Sequence, residues 1–291
     1  MFSAVAGTKR ARRHRFVLPR REGLPPLPLD ILIAGPPKRL CAKAVKESPL
    51  ILYVLDPEPV LFGAAALFAA AQAGYFPNNQ GIEEAQFRQL FVVGVGHAAE
   101  SFGLDAEGFD KDKLRNLRRR DFPPENHKAI RAGGGPNLCA KRFVEDLVDK
   151  VMPYVESKLL GLRPDVCIGS RRCLLGASYS AVVALQVLLA RPLAFQNFVL
   201  GSPSVCFDPQ ILHEVRDSEN VGIAQAAHTG VAIFLGSKER EGTASPGNVH
   251  DRMAEGCEQL RVVLVNRGIH VDGVHELPGE DHSTMKLGLV S

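Results

Sequence analysis

Short apolar runs alternate with amphipathic segments from residue 27 to the end of the chain. An apolar run bounded by turn residues predicts a strand covered by helices on both faces, because neither face of such a strand meets water. These runs, and a shorter and more polar final one, predict strands at residues 27–33, 49–55, 89–93, 173–175, 195–200, 231–235 and 269–274. Pro28 favours a peripheral position for the first strand, since an edge tolerates a missing N–H donor.

Helical periodicity occupies the intervals between these strands. Phe143, Leu147, Val151 and Val155 recur every four residues and predict an amphipathic helix. Further helices are predicted at residues 61–74, 181–185 and 253–264. Because strand and helix alternate to the end, we predict an α/β protein: a single domain with a doubly wound, mostly parallel sheet.

The first 25 residues differ from the rest in charge. They are rich in Lys and Arg and contain no acidic residue before Glu22. This composition is typical of a disordered basic tail or an organelle transit peptide, so we expect a cytoplasmic or organellar protein. Residues 1–25 are therefore expected to lie outside the fold and residues 26–291 to form the α/β domain. Within the domain, the charged, Gly- and Pro-rich stretch 97–136 is expected to form a loop or cap.

Composition excludes several classes of function. The net charge of +3 is too small, and its basic residues too scattered, to indicate nucleic-acid binding. No run approaches roughly twenty apolar residues, so no membrane span is predicted. The six cysteines lack metal-ligand spacing, and Gly94-Val95-Gly96 precedes a charged segment rather than the helix that a dinucleotide site needs. We expect neither a metal nor a cofactor.

The segment Gly176-Ala177-Ser178-Tyr179-Ser180 joins a predicted strand to a predicted helix. This is the pattern of a nucleophile elbow, a sharp turn that raises a serine hydroxyl above the sheet and requires small neighbours. Ser180 stands where the motif has its second glycine. Ser178 is the candidate nucleophile.

A serine nucleophile needs a base to remove its proton and an acid to orient that base. In α/β-hydrolases the chain order is serine, acid, histidine. Glu239 follows the strand at 231–235, and His282 follows the final strand. Both positions lie beyond strand ends, where catalytic groups gather in open α/β sheets.

Stretches from about residue 52 to residue 284 match one known group in order. They include Tyr53-Val54-Leu55-Asp56, Arg120-Asp121-Phe122-Pro123-Pro124, Gly176-Ala177-Ser178-Tyr179, Leu200-Gly201-Ser202-Pro203-Ser204, Leu235-Gly236-Ser237-Lys238-Glu239 and Pro278-Gly279-Glu280-Asp281-His282. In these stretches the chain resembles the family of α/β-hydrolases that holds the enterochelin and ferric-siderophore esterases. The resemblance implies an ester hydrolase with Ser178 as nucleophile, His282 as general base and Glu239 as orienting acid.

Departures from the family pattern lie close to this centre. Ser180 and Ala181 replace two glycines after Tyr179 and are expected to crowd the turn. Pro57 stands in the loop that conventionally supplies an oxyanion amide, and proline has none to give. We therefore expect Tyr179 to provide one oxyanion donor and Glu58 the second.

The substrate is expected to be a small-molecule ester. Arg120, within the run 118–120, is a candidate for binding an anionic substrate. Phe207 lies where relatives often carry tryptophans, which predicts a smaller substrate wall. Two alternatives remain open: a catalytically impaired member that binds a ligand or partner, favoured by the departures and by a short segment after His282, and an acyltransferase using the same three residues.

Overall fold

In a computed structural model, the described residues are 12–18, 27–35, 49–56, 90–98, 113, 116–118, 140–162, 171–207, 210–226, 228–240, 252–282 and 284. They include eight strands of one sheet: β1 (Arg12–Leu18), β2 (Leu27–Ala34), β3 (Leu50–Leu55), β4 (Leu90–His97), β5 (Arg171–Ala177), β6 (Asn197–Gly201), β7 (Gly230–Gly236) and β8 (His270–Leu277).

The sheet has the strand order β1-β2-β4-β3-β5-β6-β7-β8. Every neighbouring pair from β4 to β8 is parallel, and β2 is antiparallel to both β1 and β4. Parallel neighbours require crossover connections, which explains why strands and helices alternate along the sequence. The predicted α/β-hydrolase fold with a mostly parallel sheet is confirmed.

The first strand lies within the segment that we expected to be outside the fold. Residues 12–18 instead form β1, and its register runs from Arg12 opposite Ile33 to Leu18 opposite Leu27. Alternation places Leu18 in the core, while Arg13 and Arg15 lie 2.6 Å and 3.3 Å from the carboxylate of Asp30. The basic side chains hide this period of two. Since β1 covers β2, the expectation that β2 is peripheral was also wrong.

Six helices accompany the sheet: α1 (Ala140–Asp146), α2 (Tyr179–Ala190), α3 (Gln210–Asp217), α4 (Glu219–Ala226), α5 (Ser237–Arg240) and α6 (Met253–Asn266). These belong to the described part of the chain, and the helix predicted at 61–74 lies outside it. Helix α1 continues through two π-helical segments, Leu147–Val151 and Tyr154–Leu159. In an α-helix of 3.6 residues per turn, a spacing of four drifts around the axis; the wider π turns keep all four apolar residues buried.

Helices α1, α2 and α6 pack on the sheet in one hydrophobic core that includes Tyr53 and Phe198. The end of α1 is joined to β3 and β5 by a buried polar cluster. Arg172 donates from Nε and a terminal nitrogen to the two carboxylate oxygens of Glu156, at 2.7 Å and 2.8 Å, and the Tyr53 hydroxyl donates to Glu156 Oε1 at 3.1 Å. This cluster fixes α1 against the strand that leads to Ser178.

Candidate active site

Ser178 lies in a strained turn between β5 and α2. Its backbone has φ 60° and ψ −120°, and the residue is only 8% exposed. The turn is so tight that a Cβ at Gly176 would lie 2.3 Å from the carbonyl oxygen of Ser180. Only glycine fits there, and a positive φ at a residue other than glycine is typical of a functional site.

Ser180 fits into this turn without crowding it. Its hydroxyl donates to the Ala177 carbonyl at 2.8 Å and accepts the Ala177 N–H at 2.9 Å. Ala181 is fully buried in the core of α2. The Ser180 side chain therefore folds back onto the strand and satisfies its own polar atoms, which accommodates a serine where the motif has glycine.

The structure brings Ser178, His282 and Glu239 into one line of hydrogen bonds. His282 Nε2 lies 3.0 Å from Ser178 Oγ, and His282 Nδ1 lies 2.7 Å from Glu239 Oε1. Ser178 follows β5, Glu239 lies in the short α5 directly after β7, and His282 follows β8. All three strands are parallel, so their carboxyl ends lie at the same edge of the sheet.

The loop that carries His282 is held against α5. Lys238 N–H donates to the Glu280 carbonyl at 3.0 Å, and the Gly279 N–H donates to Ser237 Oγ at 2.9 Å. A Cβ at Gly236 would lie 2.5 Å from that same Glu280 carbonyl oxygen. The glycine that ends β7 therefore allows the histidine loop to approach the acid.

Glu239 is buried and ionised. Burial raises the pKa of its carboxyl group, but hydrogen bonds from His282 and Ser202, the attraction of the imidazolium that His282 forms when protonated, and the Gly236 amide together hold that pKa below its usual value. The Ser202 hydroxyl donates to Oε2 at 2.5 Å and the Gly236 N–H donates to the same oxygen at 2.9 Å. An ionised carboxylate accepts hydrogen bonds only, so His282 Nδ1 donates to it.

Sequence reasoning assigned no role to two serines in the loop after β6. Ser202 contacts the acid, and Ser204 Oγ lies 3.2 Å from the Ser178 oxygen. Both serines are buried, and Ser202 has a positive φ of 38°. One signal was available: Gly201-Ser202-Pro203-Ser204 follows the strand that lies between those of Ser178 and Glu239.

The expected oxyanion donors have different outcomes. Tyr179 is the first residue of α2, directly after Ser178, so its amide lies at the positive end of a twelve-residue helix. Glu58, and with it Pro57, lies outside the described residues. Asp56, the last described residue before them, has a φ of 50° and donates its N–H to the Val95 carbonyl at 2.9 Å.

The expected substrate residues lie mostly outside the described part of the chain. Arg120 is outside it, as is most of the stretch 97–136. Arg118 is described, and its Nε lies 2.6 Å from the Asp56 carboxylate, so it pairs within the protein. Phe207 ends a 3₁₀ turn, Val205–Phe207, which follows the loop of Ser202 and Ser204; its side chain is not among the described groups.

Within the described ranges, no three His, Cys, Asp or Glu side chains form a group that could hold a metal ion. Among the helices that these ranges contain, none is long and apolar enough to cross a membrane.

Comparison with known proteins gives a consistent set of relatives. The siderophore triacetylfusarinine C esterase of Aspergillus fumigatus is 26% identical over 278 residues, covering 86% of this chain and 82% of that protein. The ferri-bacillibactin esterase of Bacillus subtilis is 27% identical over 244 residues, covering 83% and 76%. Siderophore hydrolase EstA from Aspergillus nidulans has a similar structure, with a TM-score of 0.65 at 21% identity over 98% of this chain and 93% of that one. No family model matches the chain.

The strand order, the strained serine between β5 and α2, and these relatives agree with one another. The chain has an α/β-hydrolase fold and is similar in sequence to siderophore esterases.

Proposed function

We propose that this protein is a serine hydrolase that cleaves a carboxylic ester through an acyl-enzyme formed on Ser178. One observation carries the proposal: Ser178, His282 and Glu239 form a continuous line of hydrogen bonds at 3.0 Å and 2.7 Å. A serine, a base within reach of its proton, and an acid that orients the base are the three groups that acyl transfer requires.

The geometry assigns a direction to each proton. Glu239 accepts from His282 Nδ1, which leaves Nε2 as an acceptor for the Ser178 proton. As Ser178 Oγ attacks the ester carbonyl, His282 takes its proton and Glu239 stabilises the imidazolium that forms. The imidazolium then protonates the leaving alcohol. The Tyr179 amide, at the amino end of α2, would donate to the carbonyl oxygen as it gains negative charge.

The relatives support a substrate class for this site. Their names describe esterases for triacetylfusarinine C, ferri-bacillibactin and enterobactin, and two of the three names call the compound a siderophore. We propose that the substrate here is likewise a siderophore ester. Incubation of the protein with each of these three compounds, followed by mass spectrometry of the products, tests the class directly. Hydrolysis of simple activated esters without cleavage of any of the three would refute the substrate proposal alone.

Labelling with a fluorophosphonate tests the nucleophile. We expect the wild-type protein to be labelled and Ser178→Ala to remain unlabelled, since the probe reacts with an activated serine. Ser157→Ala, which removes an exposed hydroxyl on α1, is the matched control and is expected to label normally. Labelling of Ser178→Ala would show that another residue reacts.

Turnover distinguishes the remaining alternatives. With p-nitrophenyl butyrate, an esterase releases butyrate in the same total amount as nitrophenol over many turnovers, while an acyltransferase needs an added alcohol for turnover to continue. A protein that neither labels nor turns over either kind of ester would instead be the catalytically impaired member.

A further inference from the structure

We propose that Ser204 is a further catalytic residue, whose hydroxyl donates a hydrogen bond to Ser178 Oγ and stabilises the charge on this oxygen when the acyl-enzyme bond breaks. This inference rests on the proposed esterase function. It concerns a residue that touches the reacting oxygen itself, rather than one that acts through His282 or Glu239.

The backbone holds Ser204 firmly beside the nucleophile. Ser204 Oγ lies 3.2 Å from Ser178 Oγ, and the Ser204 N–H donates to the Ser178 carbonyl at 3.3 Å. On the other side of the turn, the Ser178 N–H donates to the Gly201 carbonyl at 2.8 Å. Ser204 is only 2% exposed, so its hydroxyl has a restricted set of partners.

The line of hydrogen bonds fixes which serine is the donor. Each serine hydroxyl has one proton to donate. The ionised Glu239 accepts from His282 Nδ1, so Nε2 accepts the proton of Ser178. That proton is then committed to His282, and the 3.2 Å contact between the two hydroxyls is made with the proton of Ser204. In the state that is ready for reaction, Ser178 Oγ therefore accepts from Ser204.

This donor matters most when the acyl-enzyme is hydrolysed. Water attacks the acyl carbonyl carbon while His282 Nε2 removes one of its protons. The tetrahedral intermediate then breaks the bond between the carbonyl carbon and Ser178 Oγ, and the electron pair stays on Oγ. His282 returns the proton to Oγ, which releases the carboxylic acid and free Ser178. Until that proton arrives, the Ser204 hydroxyl stabilises the negative charge on Oγ.

Stopped-flow kinetics with p-nitrophenyl acetate isolate this step, because an activated ester makes deacylation the slow one. We expect Ser204→Ala to keep a nitrophenol burst and to lower the deacylation rate about 10- to 100-fold, the range for losing a hydrogen bond to a charged group. Intact-protein mass spectrometry should then show the acetyl group remaining longer on Ser178. Ser204→Thr keeps the hydroxyl and should recover most of the rate.

Two controls separate chemistry from folding. Thr229→Val removes another buried hydroxyl, next to the amino end of β7 and at the opposite edge of the sheet, and should deacylate like the wild type. Ser204→Cys keeps the shape of serine with a weaker donor, and should be slowed even if Ser204→Ala does not fold.

The outcomes distinguish this inference from the proposed function. Deacylation within about twofold of the wild-type rate in the Ala or Cys variant would overturn the role of Ser204 while leaving the esterase function intact. An equal loss of deacylation rate in Ser204→Thr and Ser204→Ala would also overturn it, since loss of the hydroxyl would then not explain the slower rate. A wild-type protein with neither burst nor turnover on any ester would overturn the esterase function and the Ser204 step together.

Discussion

Ser202→Ala removes one of the hydrogen bonds that keep the buried acid ionised. Ser202 Oγ donates to Glu239 Oε2 at 2.5 Å, and Glu239 is only 4% exposed. After the substitution, Oε2 keeps the Gly236 amide and Oε1 keeps His282. The carboxylate thus stays in place but loses one donor and part of its orientation.

A hydrogen bond to a charged group contributes about 1.5 to 3 kcal/mol. We expect the free energy of unfolding of Ser202→Ala at neutral pH to fall by about this amount. Since Glu239 orients His282, kcat should also fall roughly tenfold, while KM changes little because Ser202 is fully buried and its hydroxyl bonds to the acid.

The loss of stability should depend on pH with a defined sign. The folded-state pKa of Glu239 lies below its unfolded value, so its ionised form contributes stability that is present above the unfolded pKa. That contribution disappears as the pH falls through the folded pKa. Removing the Ser202 donor raises the folded-state pKa of Glu239. The difference in free energy of unfolding between wild type and variant is therefore largest at neutral pH, and it shrinks as Glu239 becomes protonated.

Urea denaturation at several pH values from about 7 down to about 2.5, well below the usual pKa of a glutamate, measures this difference, and steady-state kinetics measure kcat. Ser202→Gly is the matched variant: it also lacks the hydroxyl but relieves the φ of 38°, so it should be more stable than Ser202→Ala and equally slow. A stability difference that stays constant across this pH range, or a kcat that recovers in Ser202→Gly, would refute the reasoning.

Two further predictions concern the supports of the site. Gly236→Ala places a Cβ 2.5 Å from the Glu280 carbonyl oxygen, so the His282 loop must move; we expect kcat to fall about 100-fold with the circular dichroism spectrum unchanged, and normal turnover would contradict this. Arg172→Met leaves the Glu156 carboxylate buried without its cation and should lower the free energy of unfolding by about 3 to 5 kcal/mol in denaturant titration. Adding Glu156→Gln should recover part of that loss, and no recovery would show that the ion pair is not the cause.

Much of the fold could be predicted because its signals are local. The strands from β2 to β7 have apolar runs that match their burial. The four-residue spacing from Phe143 to Val155 marks α1 and the π-helical segments that continue it. Strand β1 was missed because Arg13 and Arg15 occupy one face, and Arg12 and His14 make the face of Phe16 and Leu18 largely polar. Pairing of Arg13 and Arg15 with Asp30 makes that strand possible, and no local pattern reveals an ion pair between two strands.

The candidate site likewise has features that the sequence predicts and features that only the fold decides. Ser178, Glu239 and His282 were identified from the sequence because each lies next to a recognisable strand and their order along the chain is typical of this fold. The fit of Ser180 depends on the direction of its hydroxyl, and the tertiary structure decides that this hydroxyl bonds to Ala177.

By itself, the sequence determined the order of the elements, the parallel sheet and the three residues that lie beyond its strand ends. Hydrophobic periodicity and the order of motifs are local properties of a sequence, so they can be recognised without the fold. Only the tertiary structure decided that Ser202 meets the acid and Ser204 meets the nucleophile. Those contacts span 37 and 26 residues, and they form because parallel strands bring the loops after β5, β6 and β7 to one edge.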